Sequence, residues 1–149
     1  MGVYQNRKGI SVDTNSPDRK FTILAADRNP HVRDFLKREM MAEGFRVDLA
    51  KNAREVLEKV YRNESIDLVI IDPDLPDASQ EELLERISDR IPNLPVVIHS
   101  FSTDHAYQKK GPADVTFVEK EGRSIEALKK VVIQILSRRR RPPLGDSSQ

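Results

Sequence analysis

The stretch that decides the fold of this chain runs from Ile66 to Pro76 and reads IDLVIIDPDLP. Its β-branched and aliphatic run is too short for a buried helix, which favours a strand covered on both faces. The run ends at Asp72 and Asp74, so Asp72 is predicted to lie at the carboxyl end of a buried strand. Open α/β sheets bind their ligands at that end. A carboxylate in this place can serve as a nucleophile, a metal ligand or a loop cap.

The composition narrows the classes of protein to which the chain can belong. The 149 residues are 38% hydrophobic and 33% charged, which is enough apolar material for one domain with tails. There is no cysteine, so disulfides, thiolate zinc sites and cysteine nucleophiles are excluded. The net charge of +1 gives no general argument for nucleic acid. No apolar segment approaches the length of a bilayer span or a signal-peptide core, so we expect a soluble cytoplasmic protein.

Strand and helix patterns alternate five times along the chain, which predicts an α/β fold with a doubly wound parallel sheet and helices on both faces. Asn29 and Pro30 are typical of a helix start, and Gly44 of a left-handed helix end. Ser79 and Glu82 fit a capping box. A last helix is expected to start at a cap on Ser124. The five predicted strands are Phe21–Ala26, Phe45–Ala50, Ile66–Ile71, Pro95–His99 and Val115–Val118.

The ends of the chain differ in character from its middle. Residues 1–20 are polar and have no sustained hydrophobic periodicity, which predicts a flexible N-terminal segment before a domain at 21–137. Residues 138–149 are predicted to form a basic, disordered tail. The run Arg138 to Arg141 fits a solvated helix end better than a nucleic-acid contact. Between the fourth and fifth strands, a helix at Thr103 to Lys110 is expected to be short.

Polar side chains follow four of the predicted strands at one edge of the sheet: Asp27, Asp72 with Asp74, Ser100 and Lys120. Three neighbouring carboxylates repel one another unless a cation lies among them, and Mg²⁺ is the natural choice because it prefers oxygen ligands. A carboxylate nucleophile that attacks a phosphoryl donor needs the same groups. The alternative is structural, with Asp27 and Asp74 capping turns and Lys120 paired with either.

These residues give the chain a resemblance to the receiver domain of two-component response regulators, over about residues 20 to 137. Asp27, Asp72, Pro76, Ser100 and Lys120 stand in the order and spacing of that family. The resemblance implies a flavodoxin-like (CheY-like) fold with the strand order 2-1-3-4-5. It also implies that Asp72 accepts a phosphoryl group from a histidine kinase or a phosphotransfer protein.

The resemblance assigns roles to further residues. Lys120 is expected to contact the phosphoryl group, and Ser100 and Phe117 to form a switch that moves toward it. Asp27, Asp72 and Asp74 are the expected metal ligands, with Mg²⁺ as the metal. His99 and His105 lie nearby and are interpreted as a strand residue and a loop residue.

The chain departs from the family at Arg28, where a second acid usually follows the first strand and ligates Mg²⁺ directly. A guanidinium there changes the local charge by two units and should weaken Mg²⁺ binding. Three interpretations stay open: Arg28 points into solvent and leaves a weakened metal site, it pairs with Asp72, or it is a plain surface residue. Glu121 also replaces a common proline, which puts the usual loop geometry in doubt.

The functional prediction is a stand-alone receiver that signals to a downstream protein partner by conformational change, with homodimerisation left open. It is not expected to be an enzyme beyond slow loss of its own phosphoryl group. The alternative is a pseudo-receiver, a protein-binding module that works without phosphorylation. A flavodoxin-like enzyme or nucleotide-binding protein is disfavoured because no Gly-rich phosphate loop follows a strand. Neither nucleic acid nor a membrane is an expected partner.

Overall fold

The computed structural model describes residues 20–63, 65–90, 93–101, 114–120 and 124–140. The strands are β1 Thr22–Ala26, β2 Arg46–Ala50, β3 Ile66–Ile71, β4 Val96–Ser100 and β5 Val115–Glu119. The helices are α1 Pro30–Ala42, α2 Ala53–Arg62, α3 Gln80–Ser88 and α4 Ser124–Arg140.

The five strands form one parallel sheet in the order β2-β1-β3-β4-β5, which confirms the predicted fold class and strand order. The predicted strands are correct in number and within one residue at every end. β1 and β3 are central neighbours, so the residues that follow them emerge side by side.

Two apolar layers hold the helices against the two faces of the sheet. On one face, α2 and α3 pack with side chains such as Val56 and Leu83. On the other face, α1 and α4 pack with side chains such as Met40 and Leu128. All six residues of β3 are buried, as expected for a strand with helices on both sides.

Three of the local helix signals are confirmed, those of Asn29, Gly44 and Ser79. Asn29 accepts a hydrogen bond from the backbone N–H of His31 at the start of α1. Gly44 has φ +97°, the left-handed conformation that ends the same helix without steric cost. Ser79 Oγ accepts from the backbone N–H of Glu82 at 3.1 Å and caps α3.

Two buried polar side chains hold loops and strand ends together. Asp67 Oδ2 accepts from the backbone N–H of Thr22 at 2.9 Å, where the β1–β3 register shifts. The Arg90 side chain, only 3% exposed, donates through Nε to the Val60 carbonyl at 2.8 Å and through Nη2 to the Ile66 carbonyl at 3.4 Å. Arg90 therefore ties the end of α2 to the start of β3.

The last helix is longer than the predicted domain boundary at residue 137. α4 runs to Arg140, so Arg138 and Arg139 are exposed helical residues and not part of a tail. Arginine is a good helix former, and the first helix breakers after this run are Pro142 and Pro143.

No helix in the described part of the chain is both long and apolar enough to cross a membrane. The predictions for residues 1–19, for a helix at 103–110, for His105, for Glu121 and for residues 141–149 lie outside the described residues.

Candidate functional site

The predicted site residues meet at the carboxyl edge of the sheet. Asp27 follows β1, Asp72 follows β3, Ser100 is the last residue of β4 and Lys120 follows β5. Backbone hydrogen bonds continue the ladders to this edge, from the Asp72 N–H to the Ala26 carbonyl at 2.8 Å and from the Lys120 N–H to the Ser100 carbonyl at 2.7 Å. The strands therefore fix where each of these side chains starts.

Lys120 joins the two buried carboxylates. Its Nζ donates to Asp27 Oδ2 at 2.8 Å and lies 3.9 Å from Asp72 Oδ1. Asp27, Asp72 and Lys120 are 1%, 2% and 8% exposed. A buried charge is strongly disfavoured unless it is paired, so the lysine and the two aspartates stabilise one another.

Both carboxylate oxygens of Asp72 accept hydrogen bonds from the backbone. Oδ1 accepts from the Asp74 N–H at 3.0 Å, and Oδ2 accepts from the Arg28 N–H at 3.2 Å. These bonds hold the ionised carboxylate in one orientation, between the loops that follow β1 and β3.

Arg28 extends its side chain across the loop that follows β3. Its Nε lies 3.6 Å from Asp72 Oδ2, and its Nη2 lies 3.7 Å from Asp74 Oδ2. Its Nη1 also donates to the Asp74 carbonyl, at 3.5 Å. The Arg28 and Asp74 side chains are 54% and 64% exposed, so this pair lies at the surface of the site while Asp72 lies beneath it.

Asp27 is held by its own helix start as well as by Lys120. Its Oδ1 accepts from the Asn29 N–H at 2.9 Å, and its carbonyl accepts from Arg33 Nη1 at 2.7 Å. Asp27 thus caps the turn into α1 and pairs with Lys120 at the same time. In this geometry Asp27 can cap a turn, as the structural alternative predicts, and still belong to the acidic site.

A divalent cation such as Mg²⁺ needs several oxygen ligands that are free to turn toward it. The described residues contain no group of three or more His, Cys, Asp or Glu side chains placed to hold a metal ion. The oxygens of Asp72 and Asp74 that Mg²⁺ would need are in contact with the guanidinium of Arg28 instead. In this arrangement the site does not fit the ion, and the ligand set Asp27, Asp72 and Asp74 stays a prediction.

The two expected switch residues lie on neighbouring strands. Ser100 ends β4 and is half-buried, and its carbonyl binds the Lys120 amide. Phe117 lies on β5 beside Ile98 and packs, partly buried, against the core layer of α2 and α3. Their roles as switch hydroxyl and switch aromatic stay predictions.

His99 is a buried strand residue, as predicted from the sequence. Its Nε2 lies 3.4 Å from Ser124 Oγ, and its Nδ1 has no hydrogen-bond partner among the described residues. Burial, together with the positive charge of Lys120, lowers the pKa of His99 to about 4, although the negative charge of Asp72 opposes the shift. His99 is therefore neutral at physiological pH.

Two contacts to the site were missed in the sequence. The Phe101 ring, 71% exposed, has its centroid 5.2 Å from Lys120 Nζ, a cation–π geometry. Arg33 contacts the Asp27 carbonyl from the first turn of α1. Phe101 lies two residues after the predicted fourth strand and next to Ser100, and that position was an available signal; nothing in the sequence pointed Arg33 toward Asp27.

Residues 23–131, more than two thirds of the chain, match the family described as response regulator receiver domain. The DNA-binding transcriptional regulator NtrC of Bradyrhizobium sp. (strain RP501 Parasponia) is 38% identical over 79 residues, which are 53% of this chain and 16% of that protein. Response regulator RR06 of Streptococcus pneumoniae serotype 2 is 32% identical over 88 residues, which are 59% of this chain and 40% of that protein. The chain therefore matches less than half the length of either relative.

A solved structure with similar architecture is that of response regulator protein TrrA from Thermotoga maritima, in complex with Mg²⁺-BeF. It is 28% identical with a TM-score of 0.66, and the match covers 76% of this chain and 97% of that one. The two proteins therefore share their overall fold.

Proposed function

This chain belongs to the response regulator receiver domain family, and from that membership we propose that Asp72 accepts a phosphoryl group in a two-component phosphorelay. Receiver domains are signalling domains and not typical enzymes, and they interact with histidine kinases and downstream effectors. The donor is a histidine kinase or a phosphotransfer protein, and the modified domain signals to a protein partner. The observation that supports this most is the buried contact of Lys120 with both Asp27 and Asp72 at the carboxyl edge of the sheet.

The proposed transfer uses the Asp72 carboxylate as the nucleophile. One of its oxygens attacks the phosphorus of a phosphohistidine, and a P–O bond forms as the P–N bond breaks. The electron pair of the broken bond goes to the imidazole nitrogen, which takes a proton from solvent. Attack by water on the acyl phosphate later releases inorganic phosphate and restores the carboxylate.

The cations around Asp72 supply the electrostatic support for this step. Lys120 Nζ, 3.9 Å from Oδ1, is close enough to reach an oxygen of the new phosphoryl group. The phosphoryl group adds negative charge and acceptor oxygens beside Ser100, whose hydroxyl can donate to them. In the proposed switch, Ser100 and Phe117 then favour one of two pre-existing conformations, and a protein partner binds that conformation.

Labelling with a small acyl phosphate tests the acceptor directly. The wild-type protein should gain the mass of one phosphoryl group, and hydroxylamine should remove it, because acyl phosphates react with hydroxylamine and phosphoserine does not. Asp72→Asn should abolish the gain. Asp89→Asn is the matched control because Asp89 is exposed at the C-terminal end of α3, away from the carboxyl edge of the sheet, and it should still be labelled. Label that persists in Asp72→Asn would refute the assignment.

The second candidate is a protein-binding module that works without phosphorylation. The observation that favours it is that Asp72 is 2% exposed, with each oxygen already bonded to a backbone N–H and Oδ2 close to Arg28. Under this alternative no donor labels the protein, and Asp72→Asn leaves partner binding unchanged. A partner that binds the labelled form more tightly would rule it out.

A further inference from the structure

The negative charge of the three carboxylates at the site is already largely compensated without a metal ion. Asp27, Asp72 and Asp74 carry three negative charges, and Arg28 and Lys120 carry two positive ones, which leaves a net charge of −1. An acid at position 28 would leave four carboxylates with Lys120 alone, a net charge of −3. A bound divalent cation would bring the net charge of that hypothetical site to −1. The present site, with Arg28 and no metal ion, has the same net charge.

The guanidinium is also in the place where such a cation would bind. It contacts a carboxylate oxygen of Asp72, a carboxylate oxygen of Asp74 and the Asp74 carbonyl, at 3.5 to 3.7 Å. These are hard oxygen ligands, the type that Mg²⁺ prefers. A divalent ion among them would stand next to a positive charge and would have to displace it.

The backbone keeps Arg28 at this place. Its own N–H donates to Asp72 Oδ2 at 3.2 Å, and the neighbouring Asp27 is fixed by Lys120 and by the start of α1. The side chain therefore starts within reach of Asp72. A guanidinium presents several donors in a planar fork, which suits carboxylate oxygens and phosphoryl oxygens alike.

We propose that the guanidinium of Arg28 is the resident cation of this site, in place of a divalent metal ion. The site then takes phosphoryl groups, or tetrahedral anions that resemble them, without Mg²⁺. After transfer to Asp72, Arg28 and Lys120 hold the phosphoryl oxygens between them. The part of this inference that concerns phosphotransfer rests on the proposed function, whereas the part that concerns metal binding stands without it.

The first experiment measures Mg²⁺ binding by calorimetry and by the backbone amide NMR shifts of Asp72 and Asp74. The wild type should show no saturable binding at millimolar Mg²⁺. Arg28→Asp should create a saturable site that binds at least about tenfold more tightly than any wild-type site, with Arg28→Gln between the two. The matched control is Arg46→Asp, which makes the same charge change at the exposed start of β2, at the opposite edge of the sheet. Saturable wild-type binding as tight as that of Arg28→Asp would overturn the proposal.

The second experiment measures labelling by a small acyl phosphate in Mg²⁺ and in EDTA. The wild-type rate should be the same in both within about twofold, whereas the Arg28→Asp rate should fall at least about tenfold in EDTA. Wild-type labelling that requires Mg²⁺ would overturn the role of Arg28 and leave Asp72 as the acceptor. Absence of label in both conditions would overturn the phosphoacceptor function, and the Mg²⁺ titration would then decide the role of Arg28 alone.

Discussion

Lys120 and Asp27 form a buried ion pair with an Nζ–Oδ2 distance of 2.8 Å, whereas Asp72 Oδ1 lies 3.9 Å from the same nitrogen. In the unmodified site the lysine is thus bonded to Asp27 and only close to Asp72. A new anionic group on Asp72 would compete with Asp27 for the ammonium. Because Lys120 directly follows β5, such a competition would couple a modification of Asp72 to the position of that strand.

Replacing Lys120 tests how much this pairing contributes to stability. Lys120→Met leaves two carboxylates buried without their cation and should lower the free energy of unfolding by about 3 to 5 kcal/mol. Urea denaturation measures the change. The control is Lys59→Met, since Lys59 pairs with Asp48 at 2.9 Å but both side chains are more than one third exposed. Its effect should be about 1 kcal/mol or less; equal losses in the two variants would contradict the prediction.

The low pKa of His99 predicts a pH dependence of stability. The unfolded chain binds a proton at His99 below about pH 6.5, whereas the folded protein does so only below about pH 4. Folding is therefore progressively disfavoured as the pH falls through that window, by about 3 kcal/mol in total. His99→Phe should flatten the dependence of the free energy of unfolding between pH 4 and 6.5. His31→Phe, at an exposed position of α1, should leave it as it is.

Asp77 provides a third test because it caps a helix from a distant loop. Its two carboxylate oxygens accept from the backbone N–H groups of Ala53 and Arg54, at 2.7 and 3.0 Å, at the start of α2. Loss of water around the carboxylate opposes ionisation, but these hydrogen bonds outweigh it and lower the pKa of Asp77 below its ordinary value. Asp77→Ala should cost about 1 kcal/mol near neutral pH, as helix caps do.

The pH dependence of that loss has a definite sign. A carboxyl group whose pKa is lowered by folding stabilises the protein above its unfolded pKa. The stabilisation is lost as the pH falls through the lowered folded value. The difference in unfolding free energy between wild type and Asp77→Ala should therefore shrink below about pH 4. Asp34→Ala, on the exposed side of α1, is the control and should change stability little.

Arg90 gives a fourth test, away from the site. Arg90→Met keeps much of the side-chain volume but removes the donors to the Val60 and Ile66 carbonyls. Leaving buried acceptors unpaired should cost about 2 to 3 kcal/mol. Thermal unfolding compared with the exposed Arg86→Met measures the effect. A melting temperature shared by the two variants would show that Arg90 does not stabilise this corner.

The sequence predicted those features of the fold that are set by residues close together in the chain, such as helix caps and strand ends. Asn29, Gly44 and Ser79 have the roles that their positions indicated, because caps are set by the backbone next to them. The strand ends that gather Asp27, Asp72 and Lys120 also follow from the apolar runs and from the parallel alternation. The sequence alone could not say which carboxylate Lys120 binds, since that depends on distances between strands far apart in the chain.

The direction of a long surface side chain was likewise beyond prediction. Three interpretations of Arg28 stayed open in the sequence, and the position of the loop that carries Asp74 distinguishes them. The contact of Asp77 with α2 joins residues more than twenty positions apart and has no local signal. α4 extends to Arg140, three residues past the predicted domain boundary at 137, because arginines at a solvated helix end can stay helical.

Asp72 and Lys120 follow two strands, β3 and β5, that differ in how well they are buried from solvent. All six residues of β3, which lead to Asp72, are buried, whereas all five residues of β5, which lead to Lys120, are only partly so. β5 is also an edge strand, since among the described strands it pairs with β4 alone. Local opening of a sheet starts where fewest contacts must break, so backbone amides of β5 should exchange with solvent deuterium before those of β3. Asp72 thus follows a strand that is expected to exchange slowly, whereas Lys120, which lies 3.9 Å from it, follows a strand that is expected to open earlier.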